Sequence, residues 1–240
     1  EKVESMLASG IFFFGGRTMY LAGRKVKVNA AGSISYVVPI EDDTIEAIYE
    51  ANKCMARIFS RGGGVGTDIS ILRPRNAKVN NAANTSTGAV SFLDLFNETG
   101  NVISQHGRRG ATMVSIDCSH PDIEELLDTK MKGDRLQSMN VSIKFTDEFM
   151  DAVERDEPYT LKFDVKSTGE HIEKTINARD FFKKFCDCQW SWGDPGALFI
   201  DRFNEYNLLS GYDNFHILTT NPCAEAALGA WGSCNLGSIN

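Results

Sequence analysis

An α/β architecture is what this sequence predicts, on three observations. Strand-like and helix-like segments alternate through most of the chain, as in a sheet covered by helices. A hydrophobic fraction of 42% over 240 residues suffices for a sizeable core. No internal repeat or low-complexity linker divides the chain, so residues 1–240 are expected to form one unit without a separate second domain.

The elements follow in order. Residues 1–30 read as helical and then turn-rich, with Gly15-Gly16 and Gly23 as breaks. Tyr36–Ile40 reads as a buried strand. Glu41-Asp42-Asp43-Thr44 supplies caps and first-turn acids for a helix reaching about Phe59, with an apolar stripe of Ile45, Ile48, Tyr49, Ala56 and Phe59. Gly62–Gly66 breaks that helix, and Thr67–Leu72 is the next strand expected. A polar stretch, Arg73–Thr87, leads to a helix over about Val90–Gln105. Ala111–Ile116 reads as a strand, and Ser119-His120-Pro121 as the cap of a short helix. Asn140–Lys144 is a strand, Thr146–Arg155 a helix, 159–176 a hairpin and Asp180–Trp192 a helix. Ile217–Thr219 is a strand entering a glycine- and cysteine-rich loop. Asn235–Asn240 reads as the start of an element. A parallel sheet or barrel buries both faces only when complete, so further chain or a partner is expected to complete it.

Composition excludes several classes. A formal net charge of −7 argues against broad binding to nucleic acid or an acidic membrane. The apolar run Ile11–Phe14 is far too short to span a bilayer, and no secretory leader is recognisable. Six cysteines are too few for a secreted disulfide scaffold, so a reducing cytoplasm is expected. No His or Cys spacing suggests a metal site. Cys186 and Cys188, two apart on a helix, point to different faces, and Cys54 and Cys118 read as core.

The segment with the most chemistry is Asn221-Pro222-Cys223-Ala224-Glu225. If it is extended, a period of two puts amide, thiol and carboxylate on one face. A thiol can give up a hydrogen atom or a proton, a carboxylate can act as base on a hydroxyl, and an amide can hold that hydroxyl. Negative charge beside a thiol disfavours a thiolate, which tilts the reading toward hydrogen-atom chemistry. The bland alternative is a turn with one buried cysteine. Cys234 follows eleven residues after Cys223, in Gly232-Ser233-Cys234-Asn235-Leu236-Gly237-Ser238-Ile239-Asn240.

These two stretches together resemble the finger loop of ribonucleotide reductase large subunits, most of all the adenosylcobalamin-dependent class II. Gly15-Gly16-Arg17-Thr18, Arg61–Gly66, Leu72-Arg73-Pro74, Gln105–Ala111 and His120–Glu125 look like successive blocks of the same family, in family order. The resemblance implies a ten-stranded α/β barrel with the loop threaded through its centre, of which this chain is the N-terminal portion. It implies reduction of ribonucleotides to deoxyribonucleotides by thiyl radical chemistry. Cys223 matches the radical cysteine that takes the ribose 3′ hydrogen, Glu225 the base for the 3′-hydroxyl, and Asn221 the amide that holds it. Cys234 matches one of two cysteines that reduce substrate by forming a disulfide. The other stands in a Cys-aromatic-Val-Val-Pro pattern, for which this sequence has Ser35-Tyr36-Val37-Val38-Pro39. A hydroxyl cannot form a disulfide, so Ser35 is a departure, and turnover on a dithiol reductant is not expected.

By the same resemblance Thr18, Gly63 and Gly64 lie against substrate, although Gly62–Gly66 taken alone reads as a helix C-cap and turn. Asp42, Arg73 and Lys78 match binding residues for a dNTP effector at a homodimer interface, with Lys78–Thr87 as one effector loop. Gly107–Thr112, with Arg108 and Arg109, matches the loop linking effector to substrate choice. The partners implied are a ribonucleotide, a dNTP, a second copy, the C-terminal half of the barrel and a thioredoxin-like reductant. The cofactor implied is adenosylcobalamin, with a separate metal-containing radical subunit as the alternative. A nucleotide-effector-binding fragment without turnover, and a glycyl radical enzyme, are the competing readings.

Overall fold

The computed structural model describes residues 1–23, 32–103, 110–133, 135–212 and 215–240. Its centre is a six-stranded sheet. Five strands are parallel neighbours in the order β2 (Ser35–Val37), β3 (Gly64–Asp68), β4 (Thr112–Asp117), β5 (Met139–Phe145) and β8 (Gly196–Phe199). A short β11 (Ser233–Cys234) lies antiparallel on the free side of β2. Helices α3 (Ile45–Phe59), α4 (Leu93–Val102), α5 (Ile123–Lys132) and α7 (Ala178–Trp192) connect the parallel strands, and α6 (Asp147–Arg155) with the hairpin β6 (Pro158–Val165)–β7 (Glu170–Asn177) sits within the last connection.

Strand periodicity divides the sheet into two faces. Val65, Val114, Ile116, Val141, Ile143 and Phe145 enter the main core with Met55, Phe59, Phe96, Leu126, Phe149 and Phe185 from the helices. The alternate positions, Gly64, Gly66, Asp68, Ser115, Asp117, Asn140, Ser142 and Lys144, form the opposite face. Strands buried on both sides usually read as unbroken apolar runs. Here the polar alternation means that the second face is reserved for something polar.

Several expectations are corrected. The strand after α3 is Gly64–Asp68 rather than Thr67–Leu72, because the glycines are strand positions against which another segment packs. Helix α3 begins as expected, with Thr44 Oγ1 accepting from the Ala47 N–H, but Ile45 and Tyr49 are exposed. Its buried stripe is Ile48, Ala51, Met55 and Phe59. Asp122 heads α5 without capping it. Its carboxylate instead accepts from the Arg75 and Ala89 N–H groups, at both ends of the Arg73–Gly88 segment. Sequence patterning missed β1 (Phe12–Phe14), β8 and α8 (Ile200–Glu205). No described helix is long and apolar enough to cross a membrane.

Candidate active site

A hairpin crosses the polar face. Strand β9 (Thr219–Thr220) pairs antiparallel with β10 (Ala227–Leu228), and Asn221–Ala226 forms the turn between them. The glycines of β3 admit it. A Cβ on Gly66 would lie 1.8 Å from Thr220 O, and one on Gly64 would lie 2.7 Å from Pro222 Cγ. Real Cβ atoms do not approach so closely, so only glycine lets the hairpin lie on this strand. Asn140 Nδ2 donates to Pro222 O at 3.0 Å from β5.

The turn is not extended, so amide, thiol and carboxylate do not share a face. The Asn221 N–H donates to Ala226 O at 3.1 Å, and Asn221 Oδ1 accepts the Ala226 N–H at 3.0 Å. Ala224 N donates back to Asn221 O, and Ala224 adopts φ +65°. Asn221 is thereby buried as the clasp of the turn, while Cys223 and Glu225 are exposed at its tip. Asn221 Nδ2 faces Cys234 Sγ at 4.0 Å.

The second cysteine reaches the turn by strand pairing. In the β11–β2 ladder Cys234 is the direct partner of Ser35, and Ser233 of Tyr36. Directly opposed residues bring their Cα atoms to about 4.5–5.5 Å, within the Cα separation of about 4.4–6.8 Å at which two cysteines can be bridged. Ser35 carries a hydroxyl at that position, so no disulfide can form between the pair. Beyond Cys234, β12 (Gly237–Ile239) pairs with β1, and the Gly15 N–H donates to Leu236 O at 2.7 Å. This brings α2 (Gly16–Leu21), which carries Thr18, to the same edge, where Arg17 Nη2 donates to Gly62 O. Gly63 is packed on Ile58 and Tyr36, where a Cβ would meet Ile58 Cγ2 at 2.6 Å. Thr18, Ser35, Gly63, Gly64, Asn221, Cys223, Glu225 and Cys234 therefore belong to contiguous elements.

The family model described as "Ribonucleotide reductase, barrel domain" matches residues 33–240, which includes every one of these elements except β1 and α2. The chain belongs to the ribonucleotide reductase barrel family. It is 36% identical over 244 aligned residues to a vitamin B12-dependent ribonucleoside-diphosphate reductase of Thermoplasma acidophilum, an alignment covering 100% of this chain and 30% of that protein. Identity to the protein of the same name from Mycobacterium tuberculosis is 38% over 207 residues, covering 85% of this chain and 29% of the relative. A vitamin B12-dependent ribonucleotide reductase of Streptomyces clavuligerus is 32% identical over 224 residues, covering 83% and 23%. The chain thus spans less than a third of the length of these curated relatives.

The other residues named from sequence lie elsewhere in this reductase barrel. Asp42 and Arg73 line a cavity of about 530 Å³. Three Arg73 N–H groups are already engaged: Nε donates to Asp43 Oδ2 at 2.6 Å, Nη2 to Asp43 O at 3.1 Å and Nη1 to Lys78 O at 2.9 Å. A guanidinium has five N–H bonds, so two remain for an anion. Burial raises the Asp43 carboxyl above its usual value, against the pull of Arg73. Lys78 contributes backbone here, its N–H donating to Glu170 Oε2 at 2.7 Å. Phe163, Lys166 and Ser167 of the β6–β7 hairpin also line the cavity and were not singled out from sequence, since hairpin patterning does not show where the hairpin folds back. Arg108 and Arg109 lie outside the described residues.

Sequence reading also missed the cluster under the hairpin. Lys144 Nζ lies 2.9 Å from Asp68 Oδ2 and 2.9 Å from Asp117 Oδ1. Burial alone would lower its pKa, but the two carboxylates outweigh burial and raise it, so Lys144 is a cation. The signal was in Asn140-Val141-Ser142-Ile143-Lys144-Phe145, a strict polar–apolar alternation ending in a charge.

Proposed function

We propose that this chain is the N-terminal portion of a class II ribonucleotide reductase catalytic barrel, which reduces ribonucleotides by thiyl radical chemistry and supplies dNTPs for DNA synthesis. The observation that carries this reading is the turn itself: an exposed thiol and carboxylate at the tip of a hairpin seated on the sheet, with Cys234 delivered beside its clasp. The six-stranded sheet is then the first part of a ten-stranded barrel, completed by C-terminal chain.

Cys223, free and exposed, presents its sulfur to a radical generator on one side and to a ribose on the other. That exposure fits adenosylcobalamin, a form of the vitamin B12 that the names of the relatives carry, and Cys223 is the residue that would meet it. The chemistry this cofactor supplies when bound is homolytic, a one-electron oxidation of the Cys223 thiol. The Cys223 sulfur then takes the ribose 3′ hydrogen, Glu225 accepts the 3′-hydroxyl proton, the 2′-hydroxyl leaves as water with a proton from Cys234, and the two electrons that complete the reduction need a second thiol to close a disulfide with Cys234. Asn221, whose Oδ1 is committed to the Ala226 N–H, has only its Nδ2 to offer a ribose hydroxyl. Thr18, Gly63 and Gly64 line the approach of the substrate. Asp42, Arg73 and Lys78 frame a dNTP effector site at a homodimer interface, with Arg108 and Arg109 on the loop linking it to substrate. A thioredoxin-like protein in the cytoplasm supplies electrons. Because Ser35 opposes Cys234, that disulfide cannot form, and the chain as written does not turn over on a dithiol reductant.

The test is electron paramagnetic resonance on the chain combined with its C-terminal half, a ribonucleotide, a dNTP and adenosylcobalamin. A thiyl signal that disappears in Cys223→Ala is expected. No signal, with the dNTP still bound, would favour either a metal-containing radical partner or an effector-binding fragment.

A further inference from the structure

One buried cluster on the polar face has no part in the chemistry above. Lys144 is 6% exposed and Asp68 5%, while Ser115 and Thr219 are at 0%. Ser115 Oγ lies 2.5 Å from Asp68 Oδ2 and 2.7 Å from Thr219 Oγ1. An ionised carboxylate can only accept, and a hydroxyl has one hydrogen. Ser115 Oγ is the donor on both contacts, its one hydrogen shared between Asp68 Oδ2 and Thr219 Oγ1. Lys144 holds the same Asp68 oxygen from the other side, and Asp68 Oδ1 accepts the Ser70 N–H at 3.1 Å. Ser115 thereby joins Thr219 of the hairpin to a carboxylate fixed by a cation.

Thr219 is the root of the hairpin, paired with Leu228 in the ladder that ends at the Asn221 turn. Buried ion pairs are weak sources of stability, since apolar replacements of similar volume often fold as well or better. What a fully satisfied buried network provides is one geometry. The chain thus carries a buried cation and carboxylate directly beneath the segment whose position the reaction depends on.

We propose that Lys144, Asp68 and Ser115 form a positioning network that holds the hairpin through the Thr219 hydroxyl and so sets the place of Cys223 above the sheet. These are positioning residues, since they act through Thr219 and touch neither substrate nor cofactor. The inference rests on the radical-loop reading of Cys223. The turn is pinned at its tip by Asn221 and along its first limb by Asn140, and the network supplies the third anchor, at the root.

The test uses the complete reductase polypeptide and the near-isosteric Thr219→Val, because removing Lys144 would strand the buried Asp68 and can unfold the chain. A displacement of the reacting group by about 1 Å can cost on the order of 100-fold in rate. In a Ser35→Cys background, which supplies the second thiol a turnover needs, Thr219→Val is expected to lower the single-turnover rate by roughly 10- to 100-fold, with substrate and dNTP affinities held within about two-fold. Amide exchange at Thr220–Ala226 should accelerate in the same variant, and Thr219→Ser should recover most of both. An unaltered rate together with unaltered exchange in Thr219→Val overturns the network. So does faster exchange that Thr219→Ser fails to reverse. If the parent enzyme yields no thiyl signal, the radical-loop reading fails, while the exchange comparison still decides whether the hydroxyl anchors the hairpin.

Discussion

The two faces of one sheet follow different rules. Toward the helices, β4 and β5 present Val114, Ile116, Val141, Ile143 and Phe145, all within 1% exposure and packed on one another and on α5, α6 and α7. Toward the hairpin the same strands present Ser115, Asp117, Asn140, Ser142 and Lys144, of which Ser115 and Asn140 bond to the hairpin and Lys144 pairs with Asp68 and Asp117. Ser115, Ser142 and Lys144 are buried too, whereas Asp117 is half-buried and Asn140 exposed. One face takes its stability from apolar area, and the other spends buried polar groups on placing a loop. Residues adjacent in sequence are therefore expected to fail in different ways when changed.

The largest expected effect is on the helical face. Phe145 sits among Phe149, Phe182 and Phe185 with ring centroids 5.1–5.6 Å away. Phe145→Ala should cost about 3–5 kcal/mol of folding free energy, read as a lower denaturant midpoint. Gly66→Ala should do the reverse. Its Cβ would overlap Thr220 O, so the hairpin must lift while the helical face stays packed. In a Ser35→Cys background, single-turnover reduction should fall by about 100-fold or more, with secondary structure by circular dichroism unchanged. A Gly66→Ala enzyme that is unfolded but otherwise competent when refolded, or folded and fully active, would break the division of labour between the faces.

A gain of function sharpens the same comparison at the sheet edge. Ser35 and Cys234 are register partners, so Ser35→Cys places two thiols opposite one another. The single change should convert a chain that does not turn over into one that turns over repeatedly with a dithiol, a rise of about ten-fold or more in product per enzyme. Product limited to one equivalent in Ser35→Cys would mean that the pairing of Ser35 with Cys234 is not the block.

Much of this was legible in the sequence, for physical reasons. Thr44, Thr146 and Asn177 are caps whose side chains accept from the third residue on, so α3, α6 and α7 begin close to where local chemistry puts them. The hairpin over 159–176 followed from its own alternation. The glycines were harder. Gly64 and Gly66 look like a helix stop in one dimension, and their reason, the backbone of Thr220–Pro222, lies over 150 residues away. The Asn221 turn failed for a related cause. Alternation argues faces only for extended chain, and Asn221 uses its own amide to close the turn. The cavity residues Phe163 and Lys166 come from tertiary folding-back of a hairpin, on which local pattern is silent. The blocks that matched the family carried the position of Ser35 opposite Cys234, which spacing alone does not.

The smallest effect tests whether the helical side is free of titratable devices. It is not. His120 is buried, its Nε2–H donating to Leu72 O at 2.8 Å and its Nδ1 accepting the Asp122 N–H at 3.0 Å. Both ring nitrogens are committed in the neutral form, and burial lowers the His120 pKa below its ordinary 6.5 despite nearby carboxylates. The unfolded chain therefore takes up the proton first as pH falls. Stability from this site is complete above about 6.5 and declines as pH drops below it toward the folded value. Burial raises the Asp122 carboxyl, which favours the folded state as that group protonates and so opposes the decline at more acidic pH. One such group changes stability by at most about 1.4 kcal/mol per pH unit, a shift of roughly 2–4 °C per kcal/mol in a chain of this size. The melting temperature should therefore fall by a few degrees between pH 7.5 and 5.5. His120→Gln, which keeps a donor toward Leu72 but has no proton to gain in that range, should melt lower at pH 7.5 and show a flatter slope. An unchanged slope in His120→Gln would place the titrating group elsewhere and leave the Arg73–Gly88 segment held by Asp122 alone.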